Sequence, residues 1–93
     1  MIVMKFGGTS VADATAIAAL ASAVADARAD HPLVVVSAMS GVTDTLVAIT
    51  AAMLHGEHLA VSAAREALRD RHLEVASDLG VTEQVHADLE AHL

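Results

Sequence analysis

The residues best suited to chemistry in this chain lie near its start, where an apolar run leads into a lysine and two glycines. Lys5, Gly7 and Gly8 are followed by Thr9 and Ser10, and an alanine-rich helical pattern begins at once. Glycines between a strand and a helix N-terminus let an anion approach backbone N–H groups, and the helix dipole favours negative charge there. The lysine adds a full positive charge. The segment therefore predicts a binding site for a phosphorylated ligand.

A second segment where a strand meets a helix, residues 37–44, carries more small hydroxylated side chains and a glycine. The carboxyl ends of parallel strands meet at one edge of a sheet, where open α/β sheets usually bind ligands. We therefore expect Thr43 to face the same crevice as the first segment. Helix capping explains Ser37 and Ser40 at least as well as ligand contact does, and both interpretations stay open for Thr43.

The sequence predicts that a strand, a helix and a second strand position these segments. Residues 2–6 are a short apolar strand, and Ser10 with Asp13 predicts a capping box for a helix from about Val11 to about Ala27. Residues 33–36 are apolar throughout and mostly β-branched, which is typical of a parallel strand covered by helices on both sides. The connection is long enough for parallel pairing.

Residues 45–93 read as helices. The first carries Leu46, Ile49 and Met53 on one face and ends at His55-Gly56. The second covers residues 57–79 up to Gly80, with a predicted apolar stripe of Val61, Ala64, Leu68, Val75 and Leu79. Thr82 caps a third, whose stripe is Val85, Leu89 and Leu93. We therefore divide the chain into a βαβ part, residues 1–44, and a helical part, residues 45–93.

Composition narrows the possible partners. A chain of 93 residues makes one small domain at most, and its formal charge of −7 argues against nucleic acid and anionic membrane surfaces. The chain has no cysteine, so disulfides and thiol chemistry are excluded. We interpret the six histidines as solvated surface residues rather than as a metal site, and the charged stretch from Arg65 to Glu74 as a solvated helix face. A cytoplasmic protein is the default expectation.

Taken together, two motifs resemble a known family. They are KFGGTSVA at Lys5–Ala12 and VVVSAMSGVTD at Val34–Asp44, and they closely resemble the start of aspartate kinases, within the amino acid kinase family. The resemblance covers essentially the whole chain. It implies an α/β fold: the βαβ start of a three-layer α/β/α, carbamate kinase-like domain followed by a helical segment, incomplete in this chain.

The resemblance also implies an activity, the transfer of the ATP γ-phosphoryl group to the side-chain carboxylate of L-aspartate. The product, 4-phospho-L-aspartate, leads to lysine, threonine and methionine. Lys5, Phe6, Gly7 and Gly8 resemble the ATP-phosphate segment, with Lys5 as the catalytic charge. Thr9 and Ser10 are similar to the hydroxyl residues that flank the phosphates, and Ser37 and Thr43 to the residues at the aspartate site. Mg²⁺ is expected through the ATP phosphates, with no metal ligand from the protein, and the full-length enzyme is expected to be a homo-oligomer.

Part of the family's site is expected beyond Leu93, including its aspartate-gripping acidic and arginine residues and the adenine-binding half. We therefore expect no aspartokinase activity from this chain alone. One alternative is a non-catalytic helical interaction or oligomerisation module built on residues 45–93. Another is an amino-acid kinase with a different acceptor.

Overall fold

A computed structural model describes all residues, 1–93, and divides them into two compact units, Met1–Gly41 and Val42–Leu93. The strands and helices are β1 (Ile2–Phe6), α1 (Ala14–Asp26), β2 (Pro32–Val36), α2 (Val42–Leu54), α3 (His58–Asp78) and α4 (Glu83–His92). Short 3-10 turns occupy Gly8–Val11 and Arg28–Asp30. None of the helices combines the length and apolar character needed to cross a bilayer.

The first unit contains a sheet of two parallel strands, as the sequence predicts. Ile2 pairs with Pro32, and the register continues without a break to Phe6 and Val36. Met4 and Val34 are half-buried on one face of this sheet. That face is turned towards α1, because the groove beside α1 is lined by Val34 together with residues of the helix.

The other face of the sheet is open. Val3, Leu33 and Val35 lie on it and are exposed. The prediction that helices cover both faces was wrong. A right-handed crossover places its one helix on one side of the sheet, and α1 is the only helix in this unit.

The N-terminus of α1 differs from the predicted capping box. Ser10 lies inside the turn Gly8–Val11, and the cap is Asp13, whose backbone is extended and whose Oδ1 accepts a hydrogen bond from the Ala16 N–H at 2.9 Å. The helix therefore begins at Ala14 rather than at Val11. The 3-10 turn takes up the residues between, so Ser10 is too early in the chain to cap α1.

The second unit consists of α2, α3 and α4, and its boundaries follow the sequence closely. Gly56 and Gly80 have positive φ, 70° and 67°, and each follows a helix. This confirms the left-handed cap predicted at Gly56 and the helix end predicted at Gly80. The Thr82 hydroxyl accepts a hydrogen bond from the Val85 N–H at 3.3 Å and caps α4. Arg69 and Glu90 form an exposed ion pair at 2.6 Å between α3 and α4.

The predicted apolar faces of these helices are correct only in part. The stripe of α3 is half-buried as expected, but Leu46 and Met53 of α2 are 51% and 62% exposed. The packed face of α2 carries Val42, Thr45, Ile49 and Ala52 instead. In α4, Val85 and Leu93 are also exposed, and only Leu89 of the predicted stripe is half-buried. Because α2 is apolar almost all round, its pattern does not single out the face that packs.

The cap of α1 is directly testable. We expect Asp13→Ala to lower the free energy of unfolding by about 0.5–2 kcal/mol, because the N-terminal amides of α1 lose their side-chain acceptor. Ser10→Ala is the control, since Ser10 does not cap α1, and it should change stability by less than about 0.5 kcal/mol. Urea denaturation followed by circular dichroism measures both. A loss in Ser10→Ala as large as that in Asp13→Ala would restore the capping box.

Candidate functional site

The candidate site begins with the turn that follows β1, residues 7–10. The Ser10 N–H donates to the Gly7 carbonyl at 3.0 Å, which closes the turn. The N–H groups of Gly8 and Thr9 precede this bond, so they have no acceptor inside the turn. Two neighbouring backbone donors are therefore left at the carboxyl end of β1, and such groups can bind an anion.

The dipole of α1 contributes less to this site than the sequence suggested. Asp13 places its own carboxylate on the α1 N-terminus, and the 3-10 turn lies between that terminus and Gly7. The positive end of the helix is thus already matched by a negative group of the chain. Lys5 and the turn amides are the remaining positively polarised groups at this end of the sheet.

The two glycines leave the backbone of the turn accessible. No heavy atom outside their immediate chain neighbours lies within 4 Å of where a Cβ would stand at Gly7 or at Gly8. Gly7 has φ −78°, and neither residue is among those with positive φ. The backbone conformation therefore does not require glycine here. What glycine supplies here is open space beside the amides.

Lys5 is exposed and has no carboxylate within ion-pair distance. Side chains alternate along a strand, so Lys5 leaves β1 on the open face of the sheet, together with Val3 and its partner Val35. The turn instead leads to α1 on the other face. Since Lys5 is the next-to-last residue of β1, its side chain must extend past the strand end to meet a ligand on the Gly8 amide.

The second segment meets the first through the backbone. The Ser37 N–H donates to the Phe6 carbonyl at 3.1 Å, which continues the pairing of the strands one step beyond their ends. The Ser37 side chain is exposed at this edge of the sheet. No sequence pattern predicted this hydrogen bond, because backbone atoms make it. The sequence indicated only through the side chains of the two segments that the segments lie close together.

Thr43 belongs to the other compact unit, where it is an exposed residue in the first turn of α2. Thr9 and Ser10 are exposed within the first turn of the candidate site. The roles predicted for these residues at the phosphates and at the acceptor stay predictions.

The chain contains no cluster of three or more His, Cys, Asp or Glu residues that could hold a metal ion. The ring Nδ1 atoms of several histidines donate to backbone carbonyls four residues earlier; these are His55, His72 and His92. His72 and His86 are half-buried because α3 and α4 pack together, so the prediction of six surface histidines was wrong for these two.

Comparison with known families gives one match. The model of the amino acid kinase family matches residues 1–92. No curated protein matches the chain.

The idea that the turn glycines serve a ligand rather than the backbone can be tested without any ligand. We expect Gly8→Ala to leave the free energy of unfolding unchanged or to raise it by about 0.4–1 kcal/mol, because alanine fits the conformation and restricts the unfolded chain. Gly56→Ala is the matched control. Its φ of 70° is left-handed, and the change should cost about 1–2 kcal/mol. Equal losses in the two variants would mean that the turn needs glycine for its own conformation.

Proposed function

The chain belongs to the amino acid kinase family, and we propose that its two strand ends form part of the site at which ATP phosphorylates the side-chain carboxylate of L-aspartate. The family is one of kinases, so phosphoryl transfer is the reaction class. The observation that carries the proposal is the turn at residues 7–10, with its two free amides, directly after the Phe6 carbonyl that is hydrogen-bonded to the segment after β2.

In the proposed reaction an oxygen of the aspartate side-chain carboxylate attacks the γ-phosphorus of ATP. The bond from that phosphorus to the oxygen bridging to the β-phosphate breaks, and ADP leaves with the electron pair. The products are 4-phospho-L-aspartate and ADP. Such a transfer depends on positioning and charge neutralisation more than on covalent chemistry by the protein.

The chain supplies three groups for this task. The Lys5 ammonium balances negative charge on the transferring phosphoryl group, and the N–H groups of Gly8 and Thr9 donate to phosphate oxygens. Loss of one preorganised donor of this kind costs other enzymes roughly a hundredfold to a thousandfold in rate. Mg²⁺ would be held through the phosphates of ATP.

Aspartate is proposed as the acceptor because VVVSAMSGVTD resembles the aspartate branch of the family. In this proposal the hydroxyl groups of Ser37 and Thr43 donate hydrogen bonds to the acceptor. Both residues are exposed, each in its own compact unit. Another amino acid remains the competing acceptor.

One observation favours a second function, a helical interaction module. Leu54 and Leu59 are 82% and 89% exposed on either side of the Gly56 turn between α2 and α3, and Met53 beside them is exposed too. Clustered exposed apolar side chains mark surfaces that contact other molecules. Analytical ultracentrifugation discriminates between the functions. Association that weakens in Leu54→Ser and Leu59→Ser, without any response to nucleotide, would favour the module.

The role of Lys5 is tested by titrating the 93-residue chain with MgATP and following backbone amide shifts. We expect saturable shifts at Gly7, Gly8 and Thr9, and a dissociation constant at least about tenfold weaker in Lys5→Ala, since a charge-assisted contact is worth about 1.5–3 kcal/mol. Arg28→Ala is the control, because it removes the same charge from the same unit. Arg28 lies after α1, at the opposite edge of the sheet.

Arg28→Ala should bind MgATP within about twofold of the unchanged chain, because the affinity depends on the groups close to the phosphates rather than on the net charge of the chain. An equal weakening in both variants would reduce the effect of Lys5 to general electrostatics. If the amide signals of residues 7–10 do not shift on addition of MgATP, the proposed phosphate site is contradicted.

The acceptor is tested by a second titration, of the MgATP-loaded chain with L-aspartate and with L-glutamate. We expect L-aspartate to give the larger shifts at Ser37 and Thr43, and Thr43→Ala to weaken its binding about fivefold through the loss of one hydrogen bond. Thr50→Ala is the matched control, since Thr50 is an exposed threonine of the same helix whose hydroxyl donates to the Leu46 carbonyl. A stronger response to L-glutamate would replace aspartate by another acceptor.

A further inference from the structure

The turn at residues 7–10 has little packing of its own. Gly7 and Gly8 have no side chains, and the space where their Cβ atoms would stand is empty. Thr9 and Ser10 are exposed. Apart from the Ser10–Gly7 hydrogen bond, the residues before and after the turn must therefore determine where its amides lie.

Phe6 comes immediately before the turn and is the only aromatic residue of the chain. It is half-buried on the sheet face turned towards α1, where it lines a cavity of about 320 Å³ with Ser10, Leu20 and alanines of the helix. Its backbone carbonyl accepts the hydrogen bond from the Ser37 N–H. The Phe6 backbone is thus tied to the second segment, and its half-buried ring lies on the α1 side of the sheet.

Val11 follows the turn and is only 5% exposed. The turn therefore lies between two apolar residues, half-buried Phe6 and buried Val11. Full burial of a valine or phenylalanine side chain is worth about 1.5–3 kcal/mol. Val11 comes close to full burial, and Phe6 gains part of that free energy.

Alternation along β1 links Phe6 to Lys5. Consecutive side chains of a strand point to opposite faces, so a Phe6 ring fixed on the α1 side holds Lys5 on the open side. If the strand end rolled about its axis, the lysine would change direction and the Gly8 and Thr9 amides would move with it. The side on which the Phe6 ring lies therefore determines the side on which Lys5 leaves the strand.

We propose that Phe6 is a positioning residue of the phosphate site: its ring, on the α1 side of the sheet, fixes the end of β1 from which the turn amides and the Lys5 side chain reach the nucleotide phosphates, without touching the nucleotide. This inference rests on the proposed function. It assigns to the Phe6 side chain a role distinct from ligand contact, while the backbone of Phe6 stays in the predicted phosphate segment.

The test compares Phe6→Ala and Phe6→Leu with Leu20→Ala in the 93-residue chain. Leu20 lines the same cavity from α1 but has no backbone link to the turn, so Leu20→Ala is the matched control for loosened packing. MgATP affinity is measured from amide shifts, and hydrogen exchange is measured at the Ser10 and Ser37 N–H groups, which close the turn and join the two segments.

We expect Phe6→Ala to weaken MgATP binding at least about tenfold, since small misplacements of binding groups can cost up to a hundredfold. Exchange at Ser10 and Ser37 should accelerate in the same variant. Phe6→Leu, which keeps an apolar side chain on the α1 side, should recover binding to within about threefold. Leu20→Ala should stay within about twofold of the unchanged chain in affinity, because a leucine truncation loosens packing without releasing the strand end.

The other outcomes separate the two proposals. Unchanged affinity in Phe6→Ala overturns the positioning role, and equal losses in Phe6→Leu and Phe6→Ala mean that the ring itself contacts the nucleotide. A loss in Leu20→Ala as large as in Phe6→Ala reduces the effect to general loosening. If the unchanged chain does not bind MgATP, the proposed function fails, and unaltered exchange at Ser10 and Ser37 in Phe6→Ala then overturns the anchoring as well.

Discussion

The parallel pairing of β1 with β2, extended one step by the hydrogen bond from the Ser37 N–H to the Phe6 carbonyl, is the constraint on which the candidate site depends. Parallel strands end at the same edge of a sheet, so the residues that follow them must emerge side by side. The hydrogen bond from the Ser37 N–H to the Phe6 carbonyl also fixes the register of the two segments along the strand direction. Without it, the glycine turn and the hydroxylated segment would be two separate loops.

The same edge explains how an acidic chain can offer a site for phosphate. The formal charge of the chain is −7, yet Lys5 has no carboxylate within ion-pair distance at the end of β1. Asp13 matches the positive end of α1, so in the proposed function Lys5 and the amides of the turn are the groups that balance a ligand's negative charge. Phosphate binding as proposed would depend on a few local donors at the end of β1, and not on a positively charged surface.

The parts of the fold that sequence predicted correctly are those that local chemistry decides. Gly56 and Gly80 end helices because glycine accepts a left-handed backbone, and Thr82 caps α4 because its hydroxyl can bond to its own helix. The wrong predictions concern cases in which two nearby residues suit the same role. Ser10 and Asp13 are both good caps, and only the closing of the 3-10 turn left that role to Asp13. In α2, apolar residues surround the helix, and contact with α3 selected Val42 and Ile49 over Leu46 and Met53.

By itself, the sequence determined the order of elements, the parallel strand pair, the two segments at the strand ends and the residues in them that could bind phosphate. Motif and turn chemistry are properties of neighbouring residues, so they can be read without knowing the fold. The tertiary structure alone decided that Lys5 lies on the open face of the sheet, that Phe6 faces α1, and that a backbone bond joins the two segments. These follow from strand register and from the side on which α1 packs, and both depend on contacts between residues far apart in the chain.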